Sequence, residues 1–409
     1  MTSSNRHKIL NDPVYGFITL KHSKSLWLMD HPFVQRLRRI TQLGLSHLVY
    51  PGAVHNRFHH ALGSLYLMQE AIETLRSKGV EITESEQEAV CYAILLHDVG
   101  HGPFSHALEH SIVTGVHHEH ISILIMNRLN TELNGALDLA IEIFQNKYHK
   151  KFLHQLVSSQ LDMDRLDYLA RDSFYSGVTE GKVGSERIIR MLDVENDNLV
   201  IEEKGIYSIE KFIVARRLMY WQVYLHRTVL SAEHMLMLAL KRAKHLSKKG
   251  EQLFGSPALS TFLNNDFEKE AFIKNPELLE LFCDLDDTDI LGAMKAWRNN
   301  DDKVLADLSS RLLDRNLFRI ELKSEPFTKA EIFGKFNEVQ NTWNLNQEDA
   351  QYFVSSGMVE NQPYKENGIL IKTKSGEVVD FAKANDNLTI ESLSRNVQKY
   401  FLCYPKDLN

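Results

Sequence analysis

Histidine and aspartate stand side by side at positions 97 and 98, at the end of an apolar run within LLHDVGHGPFSH. Such a pair can give one imidazole nitrogen and one carboxylate oxygen to a single cation. That mixed donor set suits Fe, Mn, Co, Ni or Zn, with Mg a weaker fit at the nitrogen. Alone, the dipeptide is commonplace on protein surfaces, so two further ligands are needed. His60, in HNRFHHALGS, and Asp164, in SSQLDMDRLDYLARD, can supply them.

At about 100° per residue, Arg165, Tyr168 and Asp172 fall within roughly 100° of Asp164 on one helix. One stripe thus carries a carboxylate, a cation, a phenol and a second carboxylate, while Leu161, Leu166 and Leu169 take another face. Asp162 and Asp167 read as surface charges. A second stripe, Arg216, Tyr220 and Tyr224, follows i, i+4, i+8 spacing in ARRLMYWQVYLHR. Arg is the preferred bidentate donor to phosphate, and Tyr can pack a sugar while donating a hydrogen bond. Aromatics at this spacing more often belong to a core.

Rigid elements must hold these side chains. Residues 7–20 read as a short extended element with a turn at Asn11-Asp12-Pro13, and from about 26 to 325 the helical period dominates. His60 opens a helix whose apolar stripe includes Leu62, Leu65 and Met68. Thr83 and Glu86 have capping-box spacing and open another, with Val90, Ala93, Ile94 and Leu96 at helical intervals. The Gly100-His101-Gly102-Pro103 run must end it. Further helices are expected over about 153–172 and about 208–245. Residues 366–381 alternate around Ser375-Gly376 and read as a hairpin. The fold class is therefore mainly α: a helical domain over 1–325, and a smaller mixed α/β region over 326–409 suited to subunit contact.

A chain of 409 residues exceeds what one core usually supports. An apolar fraction of 43% with 25% charged residues excludes disorder as the main state. The net charge of -7 gives no global attraction to nucleic acid or anionic lipid, so a polyanion would need a local basic pocket. Three cysteines, Cys91, Cys283 and Cys403, have no paired spacing and suit a reducing compartment. No apolar run approaches the ~20 residues of a membrane span. A cytoplasmic protein is expected, with neither membrane nor nucleic acid as partner.

The stretches NDPVYGFITL, HPFVQRLRRITQLG, VYPGAVHNRFHHALGS, LLHDVGHGPFSH, LDMDRLDYLARD and DRNLFRIEL, in this order over roughly 7 to 325, resemble the SAM- and HD-domain deoxynucleoside triphosphate triphosphohydrolases. The resemblance is to the catalytic region, without a SAM domain. It implies an HD helical core and water attack at the α-phosphorus of a dNTP, releasing deoxynucleoside and inorganic triphosphate. It implies His60, His97, Asp98 and Asp164 as ligands of one transition-type divalent metal, with Mg accompanying the substrate phosphates. His101, His106, Glu109 and His118 match catalytic positions, with His106 held by Glu109 as one candidate proton donor. Arg57, Arg165 and Arg216 match phosphate contacts. Tyr168, Tyr220, Tyr224 and Asp172 match sugar or triphosphate contacts, and Gln42 matches the reader of the 3′-hydroxyl. The sequence departs from the family at Glu109 (usually Asp), Arg165 (usually Lys) and Tyr220 (usually His).

The same resemblance implies a homo-oligomer, dimer to tetramer, built around activating GTP or dNTP. Asp30, Gln35 and Arg38 match guanine-recognising positions. Lys8, Asn11, Arg187, Lys204, Arg315 and Arg319 match a second nucleotide's contacts. Glu202 falls where the family has an arginine and would repel a triphosphate. Two other readings remain open at this point: a different HD-type nucleotide phosphatase or phosphodiesterase, and a nucleotide-sensing module without turnover.

Overall fold

The structure, a computed structural model, describes residues 8–408 apart from 21, 22, 105, 110, 114, 362, 363, 366, 367 and 385–395. Its frame is helical. The first helices in chain order are α1 (Ser23–Asp30), α2 (Pro32–Gln35), α3 (Arg57–Ser77), α4 (Glu84–Leu96), α5 (His106–Glu109) and α6 (His118–Glu132). They are followed by α7 (Asp138–Phe144), α8 (Lys151–Val157), α9 (Met163–Ser176), α10 (Ser185–Arg190), α11 (Ile206–Met219) and α12 (Arg227–Lys248). Five more lie between Pro257 and Leu313.

Local chemistry fixes the helices that matter. Asn56 caps α3 by accepting from the His59 amide at 3.2 Å, and the Asn56 amide donates back to His59 Nδ1 at 3.3 Å. Thr83 and Glu86 close the corresponding box on α4, at 3.2 and 2.8 Å, as their spacing suggests. The apolar faces of α3 and α4 (Leu65, Met68, Ile72, Ala93, Ile94, Leu96) are buried in one core. His97, the last residue of that run, therefore ends α4 inside the protein.

The region expected as one helix over 153–172 is two. A break at 158–162 lets Asp162 cap α9, accepting from the Arg165 amide at 2.7 Å, and Gly177 ends that helix at φ +75°. The helix expected over 208–245 is also divided. A π-helical turn spans Tyr220–Tyr224, and His226 caps α12 by accepting from the Thr228 amide at 3.2 Å.

The extended element near the start is a hairpin, β1 (Lys8–Asp12) on β2 (Gly16–Leu20), with Asp12 opposite Gly16. Two small sheets complete the fold. One has the order β3 (Leu192–Glu195), β4 (Asn198–Glu202), β7 (Leu370–Lys372), β8 (Val378–Asp380), with β4 and β7 parallel. The other places β9 (Gln398–Tyr404) between β5 (Arg319–Lys323) and β6 (Ser355–Glu360). The hairpin over 366–381 is thus present as β7 and β8. Both sheets join residues on either side of position 325, so the mixed α/β part is knitted into the helical one. Among the described residues, no helix is long and apolar enough to cross a membrane.

Candidate active site

Three helices bring four side chains together: α3 supplies His60, the end of α4 supplies His97 and Asp98, and the first turn of α9 supplies Asp164. His60 Nε2 lies 3.2 Å from His97 Nε2 and 3.0 Å from Asp164 Oδ1. His97 Nε2 lies 3.5 Å from both Asp164 Oδ1 and Asp98 Oδ1, and Asp98 Oδ2 is 3.9 Å from His60 Nε2. Donors bonded at about 2.1 Å to one ion lie roughly 3.0–4.2 Å apart, from adjacent to opposite positions, so His60, His97 and Asp164 fit a single cation, with Asp98 at its edge.

Both imidazoles are held in the form a metal requires. His60 Nδ1 meets Asp167 Oδ2 at 2.7 Å, and His97 Nδ1 meets the Ile94 carbonyl at 2.6 Å. Carboxylate and carbonyl oxygens only accept, so both Nδ1 atoms donate and both Nε2 lone pairs face the cluster. Burial opposes a charge on His60, yet hydrogen bonds to Asp164 and Asp167 outweigh it and raise its pKa to about 10. Asp164 moves the other way: burial opposes its charge, but His60 and His97 hold it below the usual carboxylate range. Without a cation, protons take its place.

Beside Asp98 stands a second group. Arg57 Nη1 is 2.5 Å from Asp98 Oδ2, and His101 Nε2 is 3.2 Å from Asp98 Oδ1. His101 stacks on His118 with centroids 3.7 Å apart and planes at 16°, and His118 Nδ1 contacts Glu109 Oε1 at 3.0 Å. Burial first, then the charge of Arg57, pushes His101 down to about 3. Among the described side chains, the imidazole held by Glu109 is His118. His106 begins α5, and its side chain lies outside the described ones, as does the expected His106–Glu109 pairing.

On the α9 side, Arg165 Nη1 lies 3.4 Å from the Tyr168 hydroxyl. Tyr224 donates to Asp172 Oδ2 at 2.8 Å and packs edge-on against Tyr168 (6.1 Å) and Tyr220 (5.3 Å). Burial lowers the pKa of Arg216, and the Arg165 charge adds to that effect, so two guanidiniums share one buried region. The Gln42 amide donates to the His55 carbonyl at 3.0 Å, and its side-chain Oε1 is buried without a hydrogen bond.

Several of the positions matched to activating nucleotides touch one another. Lys8 pairs with Asp30 at 3.0 Å, Gln35 Nε2 donates to the Met29 carbonyl at 2.8 Å, and Arg38 Nε donates to Gln35 Oε1 at 2.9 Å. Asn11 lies on β1 opposite Phe17. Arg187 Nη2 reaches the Lys204 carbonyl at 3.4 Å. Arg315 donates to the Leu48 carbonyl at 2.7 Å, while Arg319 opens β5. Glu202 is neutralised by Lys78 at 2.5 Å and Lys204 at 2.6 Å.

Two aspartates read as surface charges are not on the surface. Asp162 is the buried cap of α9, and Asp167 is fully buried against His60 and Arg171. His55, which the sequence reading passed over, holds Asp172 Oδ1 at 2.7 Å from a fully buried position. The i, i+4 pairing of Asp167 with Arg171 was the available signal.

The fold and this constellation define a hydrolase class, and the comparisons agree with it. The HD associated region family matches residues 183–254. A phosphohydrolase crystal structure from Bacteroides thetaiotaomicron VPI-5482 is 54% identical, with a TM-score of 0.95 over 98% of this chain and 100% of that one. The Bacillus subtilis protein YwfO is 32% identical over 424 residues, 99% of this chain and 93% of its own. The Dictyostelium discoideum deoxynucleoside triphosphate triphosphohydrolase SAMHD1 homolog is 29% identical over 296 residues, 68% of this chain and 57% of its own. The chain belongs to the HD phosphohydrolases and is similar to those of the SAM- and HD-domain type.

Proposed function

We propose that this phosphohydrolase is a metal-dependent dNTP triphosphohydrolase. The observation that carries the reading is the convergence of His60, His97, Asp98 and Asp164, with guanidiniums on α3, α9 and α11 and tyrosines on α9 and the π turn. The donor set of two imidazoles and two carboxylates suits a transition-type divalent ion. The chemistry supplied by such an ion is Lewis acidity toward a phosphoryl oxygen and acidification of a water toward a pKa of ~7.

The chain's own groups do the rest. Arg57, Arg165 and Arg216 bind the triphosphate and oppose its developing charge, with Mg entering on the phosphates. Water attacks the α-phosphorus, the bond to the 5′-oxygen breaks, and that oxygen needs a proton. His118, oriented by Glu109, delivers it, with His101 stacked on its ring and His106 on the same short helix as Glu109. Tyr168 and Tyr224 pack the sugar edge and exclude a 2′-hydroxyl, Tyr220 and Asp172 support them, and Gln42 reads the 3′-hydroxyl.

Activation by GTP or dNTP between subunits of a homo-oligomer is part of the same proposal. It would use Asp30, Gln35 and Arg38 for one nucleotide, and Lys8, Asn11, Arg187, Lys204, Arg315 and Arg319 for another. Incubation with each dNTP and a panel of divalent ions, with chromatographic identification of products, tests the activity. Inorganic triphosphate plus deoxynucleoside is the expected pair. Release of monophosphate or pyrophosphate, or no metal-dependent product, would refute it.

A further inference from the structure

A buried line of charge runs from the N-terminal hairpin to the metal-ligand cluster. Asp12, the last residue of β1, turns one carboxylate oxygen onto its own loop: Oδ1 accepts from the amides of Val14 at 2.9 Å and Tyr15 at 3.0 Å. Its other oxygen, Oδ2, receives Arg171 Nη1 at 2.8 Å. Arg171 then grips Asp167 with two further nitrogens, Nε on Oδ2 and Nη2 on Oδ1, both at 3.0 Å. Asp167 Oδ2 holds His60 Nδ1 at 2.7 Å. Arg171 and Asp167 are wholly buried, His60 likewise, and Asp12 is 6% exposed.

The space around this line is closed. A Cβ on Gly63, one turn along α3 from His60, would stand 1.9 Å from Asp167 Oδ1 and 2.2 Å from Arg171 Nη2. Glycine at 63 is thus what lets the carboxylate and guanidinium pass beneath α3 to the ligand. Every oxygen of both carboxylates has a donor, and none is spare. Even fully paired buried charges are often matched or bettered in stability by apolar packing, which makes such a line a poor device for stability alone.

We infer that Asp12 and Arg171 are positioning residues for the metal centre: from the hairpin, they aim Asp167 at His60 and thereby set the direction of the Nε2 lone pair. The inference rests on His60 being a metal ligand. Outer partners of metal-bound histidines fix the ring and raise its basicity, and their loss commonly costs 10–100-fold in metal affinity. Two residues, Arg171 and Asp167, stand between Asp12 and His60, so about tenfold, the low end of that range, is the expected size. Linkage also runs backwards: if the hairpin tightens metal binding, metal binding must tighten the hairpin by the same factor.

The test uses the full chain and Mn²⁺. Competition against a fluorescent chelator should show Asp12→Asn raising the Mn²⁺ Kd about tenfold, with Asp12→Glu recovering part of that loss. Hydrogen exchange on the unaltered chain gives an independent reading that needs no variant: adding Mn²⁺ should slow exchange at the Val14 and Tyr15 amides, which Asp12 holds. A lowered melting temperature for metal-free Asp12→Asn with unchanged Mn²⁺ affinity would mark a merely structural role and overturn the inference, as would hairpin exchange indifferent to Mn²⁺. If the unaltered chain takes up no Mn²⁺ or other divalent ion, the ligand assignment itself falls, and the positioning role with it.

Discussion

His101 lies flat against His118, ring on ring, and each reaches a different carboxylate: His101 meets Asp98, and His118 meets Glu109. Removing His118 (His118→Ala) should lower kcat by ~10²–10⁴ while leaving bound metal unchanged, because a proton donor is lost and no ligand is. Glu109→Gln should cost less, since the imidazole stays but loses its orienting charge. Steady-state kinetics with metal analysis separates the two. Loss of metal in His118→Ala would argue against this division of labour.

Either His97→Ala or Asp98→Ala should abolish turnover and bound metal together. Far-UV circular dichroism should stay largely helical, because α4 ends at Leu96 and its core contacts lie upstream. Retained metal at full occupancy in either variant would contradict the ligand set.

Acidity and metal should compete for His60. Its pKa lies near 6.5 in an unfolded chain and is raised to about 10 in the metal-free fold. Stability from this protonated imidazole is therefore complete below about 6.5 and is lost as pH climbs toward about 10. Chelated protein should melt at falling temperature across that window, and metal-loaded protein should not. Near pH 8, metal binding should release protons, measurable by calorimetry in buffers of different ionisation enthalpy.

Tyr224→Phe removes the 2.8 Å hydrogen bond to Asp172 while keeping the ring. We expect a severalfold rise in KM, little change in kcat, and weaker discrimination against ribonucleotides. Equal discrimination would remove Tyr224 from sugar selection.

Arg36 is 1% exposed and donates to three carbonyls, those of Cys283 (2.9 Å), Val99 (3.0 Å) and Leu285 (3.5 Å). Val99 follows Asp98 directly, so this arginine pins the segment carrying the ligand pair. Arg36→Met should destabilise by about 3 kcal/mol or more, since each buried acceptor left unpaired costs ~1–3 kcal/mol. Chemical denaturation measures it.

Much of this architecture could be read from local chemistry. The box at Thr83 and Glu86 announces α4, Gly177 marks the end of α9, and alternation about Ser375-Gly376 marks β7 and β8. The four ligand candidates stand in strings whose order is itself informative. What escaped the sequence depends on distant contacts. Asp167 looks like any charged helix residue until α3 covers it, and its burial needs the missing side chain of Gly63, about a hundred residues earlier in the chain. The break before α9 arises because Asp162 competes with the backbone for amides. The parallel pairing of β4 with β7 joins segments with no shared local signal.

The π turn at Tyr220–Tyr224 carries one more implication. A regular helix there would advance each side chain by about 100°. Deleting a single residue from this turn would restore ordinary pitch and swing Tyr224 away from Asp172, with α12 and the helices that follow forced to rotate or slip. The site's sugar-facing wall is thus tied to chain length at this one place, which tolerates exchanges of side chain far better than a lost or gained amino acid.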